Sequence, residues 1–186
     1  MKRLDTTLLM TDLDGTLLPS TKEILPEELE AIRQFRQQGG KFAIATGRTL
    51  QAAQRYLDRV QADVPVILFN GAGIYDPLSG TMLDTESLPA EAAFQMTRQV
   101  LEAFPEVSAE ILRADGTYVP RMTEYEREHL EICRVEPVLL PLEEIPRGEW
   151  LKVLFAIAPE RMPEFVQEEL KTLQETIRQD ARSGKY

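Results

Sequence analysis

Two rhythms of apolar residues alternate along the first part of the chain. Short unbroken runs, Leu8-Leu9-Met10, Phe42-Ala43-Ile44-Ala45 and Val66-Ile67-Leu68-Phe69, predict buried strands over 8–11, 41–46 and 66–69. Between them, Leu29, Ile32 and Phe35, then Leu50, Ala53, Leu57 and Val60, recur at helical spacing and predict two amphipathic helices. Pro26 opens the first helix at its favoured position, with Glu27 and Glu28 complementing the dipole. Gly39-Gly40 closes it. Residues 17–24 are mixed and polar and read as a small flap or hairpin. The order βαβαβ with right-handed crossovers gives a parallel sheet. The loops after its three strands then leave one edge, where open α/β sheets bind ligands.

After Gly73 the rhythm changes. Residues 74–83 predict a hairpin around Pro77-Leu78-Ser79-Gly80. A helix over 89–104 follows, with Ala92, Met96, Val100 and Ala103 on one face. Strands over 107–112 and 117–119 join across Asp115-Gly116. A helix is expected over 123–133, a strand or loop over 138–146, a strand over 150–157 and a long helix over 162–179. Val166, Leu170, Leu173 and Ile177 form the inward face of that last helix. This mixture reads as an α+β unit beside the parallel one. Trp150 reads as core, and His129, between Glu128 and Glu131, as part of a solvated helix face.

Composition narrows the partners. Of 186 residues, 43% are hydrophobic and 28% charged, an ordinary globular balance. The net charge of −10 argues against nucleic acid or an anionic membrane as partner. Cys133 is the single cysteine, so no intrachain disulfide forms and a reducing, cytoplasmic location is expected. No apolar run approaches membrane-spanning length.

The chemistry concentrates in Asp12-Leu13-Asp14-Gly15-Thr16, where the first strand runs out. A loop that curls after Asp12 brings the second carboxylate back over the first. Phosphoryl transfer through a covalent carboxylate intermediate uses such a pair. One acid, kept ionised beside Mg²⁺, attacks phosphorus, and the other exchanges a proton with the leaving oxygen and with water. Gly15 permits the tight turn, and free loop N–H groups cradle phosphate oxygens. An ordinary Asp-Gly turn is the bland alternative. A calcium loop is another, since Glu23 stands twelfth from Asp12, but Thr16 and Leu17 occupy positions that want Asp/Asn and Gly. At the second strand end, Thr46 offers a hydroxyl and Gly47 an unobstructed N–H to a phosphate oxygen. Arg48 beside them is read as structural. At the third, Asn70-Gly71 is a plausible substrate contact.

These residues resemble the haloacid dehalogenase superfamily, specifically its Cof-type phosphatases with a class IIB cap. Asp12-Leu13-Asp14-Gly15-Thr16 matches the first motif, Thr46-Gly47-Arg48 the second, and Asn70-Gly71-Ala72 an element typical of the subgroup. The resemblance implies a Rossmann-like parallel core, partial here over 1–83, and an inserted α+β cap over 84–186 that lacks its last strand. It implies Asp12 as nucleophile and Asp14 as general acid/base. The Asp12 carboxylate and Asp14 carbonyl become Mg²⁺ ligands, and Thr46, Gly47, Asn70 and Gly71 substrate contacts. The substrates implied are small phosphorylated metabolites, often sugar phosphates.

The family continues into a Lys and a Gly-Asp-x-x-Asn-Asp loop, neither of which precedes Tyr186. A truncated chain of weak activity is therefore expected. The first strand, central in the family, should be an exposed edge open to self-association. A phosphosugar mutase of the same superfamily and a non-catalytic phosphometabolite-binding module are the alternative functions.

Overall fold

A computed structural model describes residues 4–167. The chain begins with β1 (Leu8–Thr11), α1 (Pro26–Gln37), β2 (Lys41–Ile44), α2 (Leu50–Val60) and β3 (Val66–Leu68). β1 and β2 pair in parallel with Leu8 opposite Lys41 and Thr11 opposite Ile44. A parallel bridge between Ala45 and Ile67 carries the sheet on to β3. The expected βαβαβ unit is present, and the three strand ends lie along one edge.

Local sequence explains the boundaries. Leu25 N–H donates to Glu28 Oε2 at 3.1 Å, one half of a capping box around Pro26. Thr49 caps α2 by accepting from Ala52 N–H. Gly39, at φ +95°, ends α1 in a conformation that penalises side chains. Ala53, Tyr56, Leu57 and Val60 of α2 pack with Ile32, Phe42 and Ile44 into one buried cluster.

After β3 the sheet continues antiparallel through β4 (Gly73–Asp76) and β5 (Thr81–Thr85), the predicted hairpin. Among the described residues β1 pairs with β2 alone. Leu8, Leu9 and Met10 are exposed there, as expected of an edge.

A second sheet lies beyond α3 (Ala90–Ala103). It contains β6 (Ser108–Arg113), β7 (Gly116–Val119), β8 (Val138–Leu139) and β9 (Lys152–Ala156) in the order β8-β7-β6-β9, with α4 (Glu124–Cys133) between β7 and β8. The β6–β7 hairpin turns at Ala114-Asp115, with Arg113 opposite Gly116. Trp150 is fully buried and donates from Nε1 to Pro146 O at 2.8 Å.

α3 buries a different face from the one its spacing suggested. Ala93, Phe94, Thr97, Val100 and Leu101 are inside, whereas Ala92 and Ala103 face solvent. Thr97 can be buried because its hydroxyl donates to Ala93 O at 2.8 Å. The end of the helix expected over 162–179, with Leu170, Leu173 and Ile177, lies outside the described residues.

β6 and β9 carry a strict alternation. Ala109, Ile111, Val153 and Phe155 pack with Phe94 and Trp150 on one face. Glu110, Leu112, Lys152 and Leu154 point the other way, into a cleft shared with the first sheet.

Candidate active site

The cleft measures about 730 Å³ and lies over the ends of the first three strands. Asp12, Asp14, Thr46, Gly47, Asn70 and Gly71 all line it. The structure thus brings together every site residue that the sequence singled out.

The first loop curls as its chemistry requires. Leu17 N–H and Leu18 N–H donate back to Asp12 O and Leu13 O, and Gly15 sits at φ +76°. Buried Leu13 anchors the turn, while Asp12 and Asp14 on either side stay exposed. Asp12 Oδ1 accepts from Leu13 N–H at 2.7 Å, which fixes that carboxylate at the strand end.

Asp14 is clasped by two cations. Arg48 donates from Nε to Oδ2 at 2.7 Å and from Nη2 to Oδ1 at 2.9 Å. Lys22 Nζ donates to Oδ1 at 2.7 Å. The guanidinium fork chiefly, helped by the ammonium and opposed by partial burial, holds the Asp14 carboxyl far below the usual carboxylate range. Tyr56 supports both partners: its ring lies 5.2 Å from Arg48 Cζ, and its hydroxyl donates to Lys22 O at 3.0 Å. Arg48 thus pairs with an acid and also lines the cleft. Lys22 ties residues 17–24 to the same carboxylate. The sequence offered a signal for each: a cation beside Thr46-Gly47, and a lysine within reach of the Asp pair.

The second and third loops are stitched to each other. Asn70 N–H donates to Thr46 O at 3.2 Å and Phe69 N–H to Arg48 O at 3.1 Å. The cost is a left-handed backbone at Phe69 and Asn70, φ 54° and 58°, conformations that persist where surrounding structure enforces them. A Cβ at Gly47 would fall 2.7 Å from Asn70 Oδ1, so glycine is required for this approach. Thr46 is buried, and its Oγ1 accepts from Arg48 N–H at 3.3 Å.

Lys152, on β9, donates from Nζ to Asn70 Oδ1 at 2.7 Å and to Gly47 O at 3.1 Å. Burial lowers its pKa, and the charge of Glu110 opposes that shift. His129 lines this cleft with its side chain 42% exposed, beside the α4 stripe of Glu126 and Leu130 that packs down. Burial first, then Arg48 and Lys152, lowers the His129 pKa.

No cluster of three or more His, Cys, Asp or Glu side chains suited to a metal occurs among the described residues. Asp12 and Asp14 nevertheless offer the hard oxygen donors that Mg²⁺ takes, and that ion commonly keeps several waters beside one or two carboxylates. The donors fit Mg²⁺ in kind.

Comparison with known proteins gives the family. Residues 9–186 match the haloacid dehalogenase-like hydrolase family. A pyridoxal phosphate phosphatase of Escherichia coli (strain K12), YbhA, is 34% identical over 97 residues, covering 52% of this chain and 36% of that protein. A haloacid dehalogenase-like hydrolase of Bacteroides thetaiotaomicron superposes with a TM-score of 0.73 at 19% identity, over 91% of this chain and 65% of the other. A subclass IIB sugar phosphatase gives a TM-score of 0.69 at 22% identity, over 87% and 62%. At these identities the structural likenesses establish the fold alone. The chain spans less than two thirds of the length of each of these three proteins. No helix among the described residues is long and apolar enough to cross a membrane.

Proposed function

Because this chain belongs to the haloacid dehalogenase-like hydrolase family, we propose that it serves the hydrolysis of phosphate monoesters of small metabolites, sugar phosphates among them, with Asp12 as nucleophile. The observation that carries this reading is the convergence of three strand-end loops, with their Asp pair, Thr46-Gly47 and Asn70-Gly71, on one cleft.

Asp12 is exposed and held at one oxygen, so the other is free to attack phosphorus. The new P–O bond forms as the bond to the leaving oxygen breaks, giving an aspartyl phosphate that water then hydrolyses. Asp14 exchanges protons with the leaving oxygen and the attacking water. Its resting ionised state suits the second task. For the first, Arg48 and Lys22 must turn from Asp14 toward the incoming phosphate, which offers them a second anion. Thr46, Gly47 and Asn70 position the phosphate oxygens, and Lys152 supplies a cation at the same end. Asp12 and Asp14 would hold Mg²⁺, which when bound neutralises phosphate charge.

In this reading residues 1–83 form a core and 84–186 a cap that selects the leaving group. A cytoplasmic location follows from the single cysteine. Self-association through the β1 edge belongs to the same proposal, and sedimentation of the purified chain checks it.

The deciding experiment is phosphate release by residues 1–186 from a panel of metabolite esters with and without Mg²⁺, beside Asp12→Asn. Release that depends on Asp12, even at low rate, supports the reading. Equal release by both proteins overturns it.

A further inference from the structure

The cleft has a second end, and its chemistry differs from the phosphate end. Glu110 and Leu112 on β6 face it with Lys152 and Leu154 on β9, where Glu110 pairs with Leu154 and Leu112 with Lys152. Lys152 is committed to Gly47 and Asn70. Glu110 lies one strand repeat further along, roughly 7 Å away, which is the span of one ring.

Glu110 is an anomaly there. Its side chain is only 6% exposed, and its Oε1 is buried without a hydrogen bond. His129 Nε2 lies 3.2 Å from that oxygen, close enough for an ion pair but outside hydrogen-bond geometry, and burial lowers its pKa. Behind Glu110 stands Glu126, fully buried, whose carboxyl interacts with that of Glu110. A buried acceptor left unpaired is destabilising, so a donor brought into the cleft beside the Glu110 carboxyl is favoured. Burial and the neighbouring carboxyl push the Glu110 pKa up. The charge of Lys152 opposes that shift without cancelling it.

We propose that Glu110 recognises an amine on the leaving group, so that the preferred substrates are phosphate monoesters carrying an ammonium or N–H about one ring away from the phosphate. An ammonium brings charge as well as donors to a place with two carboxyls, and charge-assisted hydrogen bonds are about twice as strong as neutral ones. Leu112 and Leu154 offer the body of that ring an apolar wall. A neutral polyol would leave Glu110 with a weaker partner and set hydroxyls against leucine.

This inference rests on the phosphatase reading, and matched substrates separate the two. The pairs are glucosamine 6-phosphate against glucose 6-phosphate, and pyridoxamine 5′-phosphate against pyridoxine 5′-phosphate. In the unaltered chain the aminated member of at least one pair should have the higher kcat/KM, by about tenfold. Glu110→Gln should cut that ratio to about threefold or less. Turnover without amine preference, or a preference that survives Glu110→Gln, overturns the inference and leaves the phosphatase reading intact. If no ester is turned over, calorimetric titration of the same pairs decides. A tenfold tighter Kd for the amine sustains the inference while the phosphatase reading falls, and equal affinity or no binding overturns it. Should Glu110→Gln fail to fold, Glu110→Asp and the unaltered chain's own ratios carry the test.

Discussion

Lys152 Nζ and Asn70 Oδ1 meet at 2.7 Å across 82 residues of sequence. One belongs to the second sheet and the other to the loop after β3, so this contact closes the cleft at its phosphate end. Lys152→Met should weaken binding of inorganic phosphate by about tenfold, the loss expected for a charge-assisted hydrogen bond of ~1.5 kcal/mol. Lys152→Arg should retain part of the affinity. Titration calorimetry gives both values, and unchanged affinity in Lys152→Met would remove Lys152 from the phosphate site.

Gly47 should be intolerant of alanine for a reason that can be undone. The added Cβ meets Asn70 Oδ1 at 2.7 Å, and Lys152 restrains that amide. Gly47→Ala should cost about 1–3 kcal/mol. In an Asn70→Ala background the same change should cost less, because the clash is gone. Chemical denaturation of the four proteins measures the coupling.

Asp14 owes its low pKa first to Arg48 and then to Lys22. Arg48→Met should raise it toward the ordinary value of 3.8, and Lys22→Met should raise it less. Carboxyl NMR titration reads this without any need for turnover. Because folding depresses this pKa, the stabilisation is present above the unfolded value and fades as pH falls.

Glu110 works in the opposite sense. Burial, then Glu126, raises its pKa above the ordinary 4.5, so the folded protein holds a proton that the unfolded chain releases. Stability should be fully retained below the unfolded value and fall as pH rises above it, by at most ~1.4 kcal/mol per pH unit for one proton. Glu110→Gln should flatten that slope. Thermal melts from pH 4 to 9 provide the comparison, and parallel slopes would mean that Glu110 is not the group responsible.

Asp12→Asn should reduce any turnover by ~10³-fold or more and abolish phosphate trapped on the chain. Asp14→Asn should slow turnover by ~10²-fold with the fold intact. Rapid-quench mass spectrometry of the protein detects the trapped phosphate.

The elements legible in the sequence were those in which one rule decides. Apolar runs, helical spacing, Pro26 and Gly39-Gly40 placed β1, α1, β2, α2 and β3 within a few residues. The three loops followed from topology. The α3 face was misread because a polar residue, Thr97, lies inside and satisfies itself on Ala93, hiding the true phase. His129, Glu110 and Lys152 were missed for another reason. Their roles depend on how β6, β9 and α4 lie over the first sheet, and local spacing carries no information about that. One charged residue facing the cleft on each strand, Glu110 on β6 and Lys152 on β9, opposite a dry face, was the one available clue.

That alternation separates two kinds of change. Positions 109, 111, 153 and 155 hold the second sheet to α3, while 110, 112, 152 and 154 meet whatever enters the cleft. New specificities can therefore be written on the even positions while the odd ones go on specifying the same fold. A single-residue slip of β6 would turn its side chains over, putting Glu110 against Phe94 and Trp150. Accuracy of strand pairing and accuracy of substrate choice are, in this protein, one requirement.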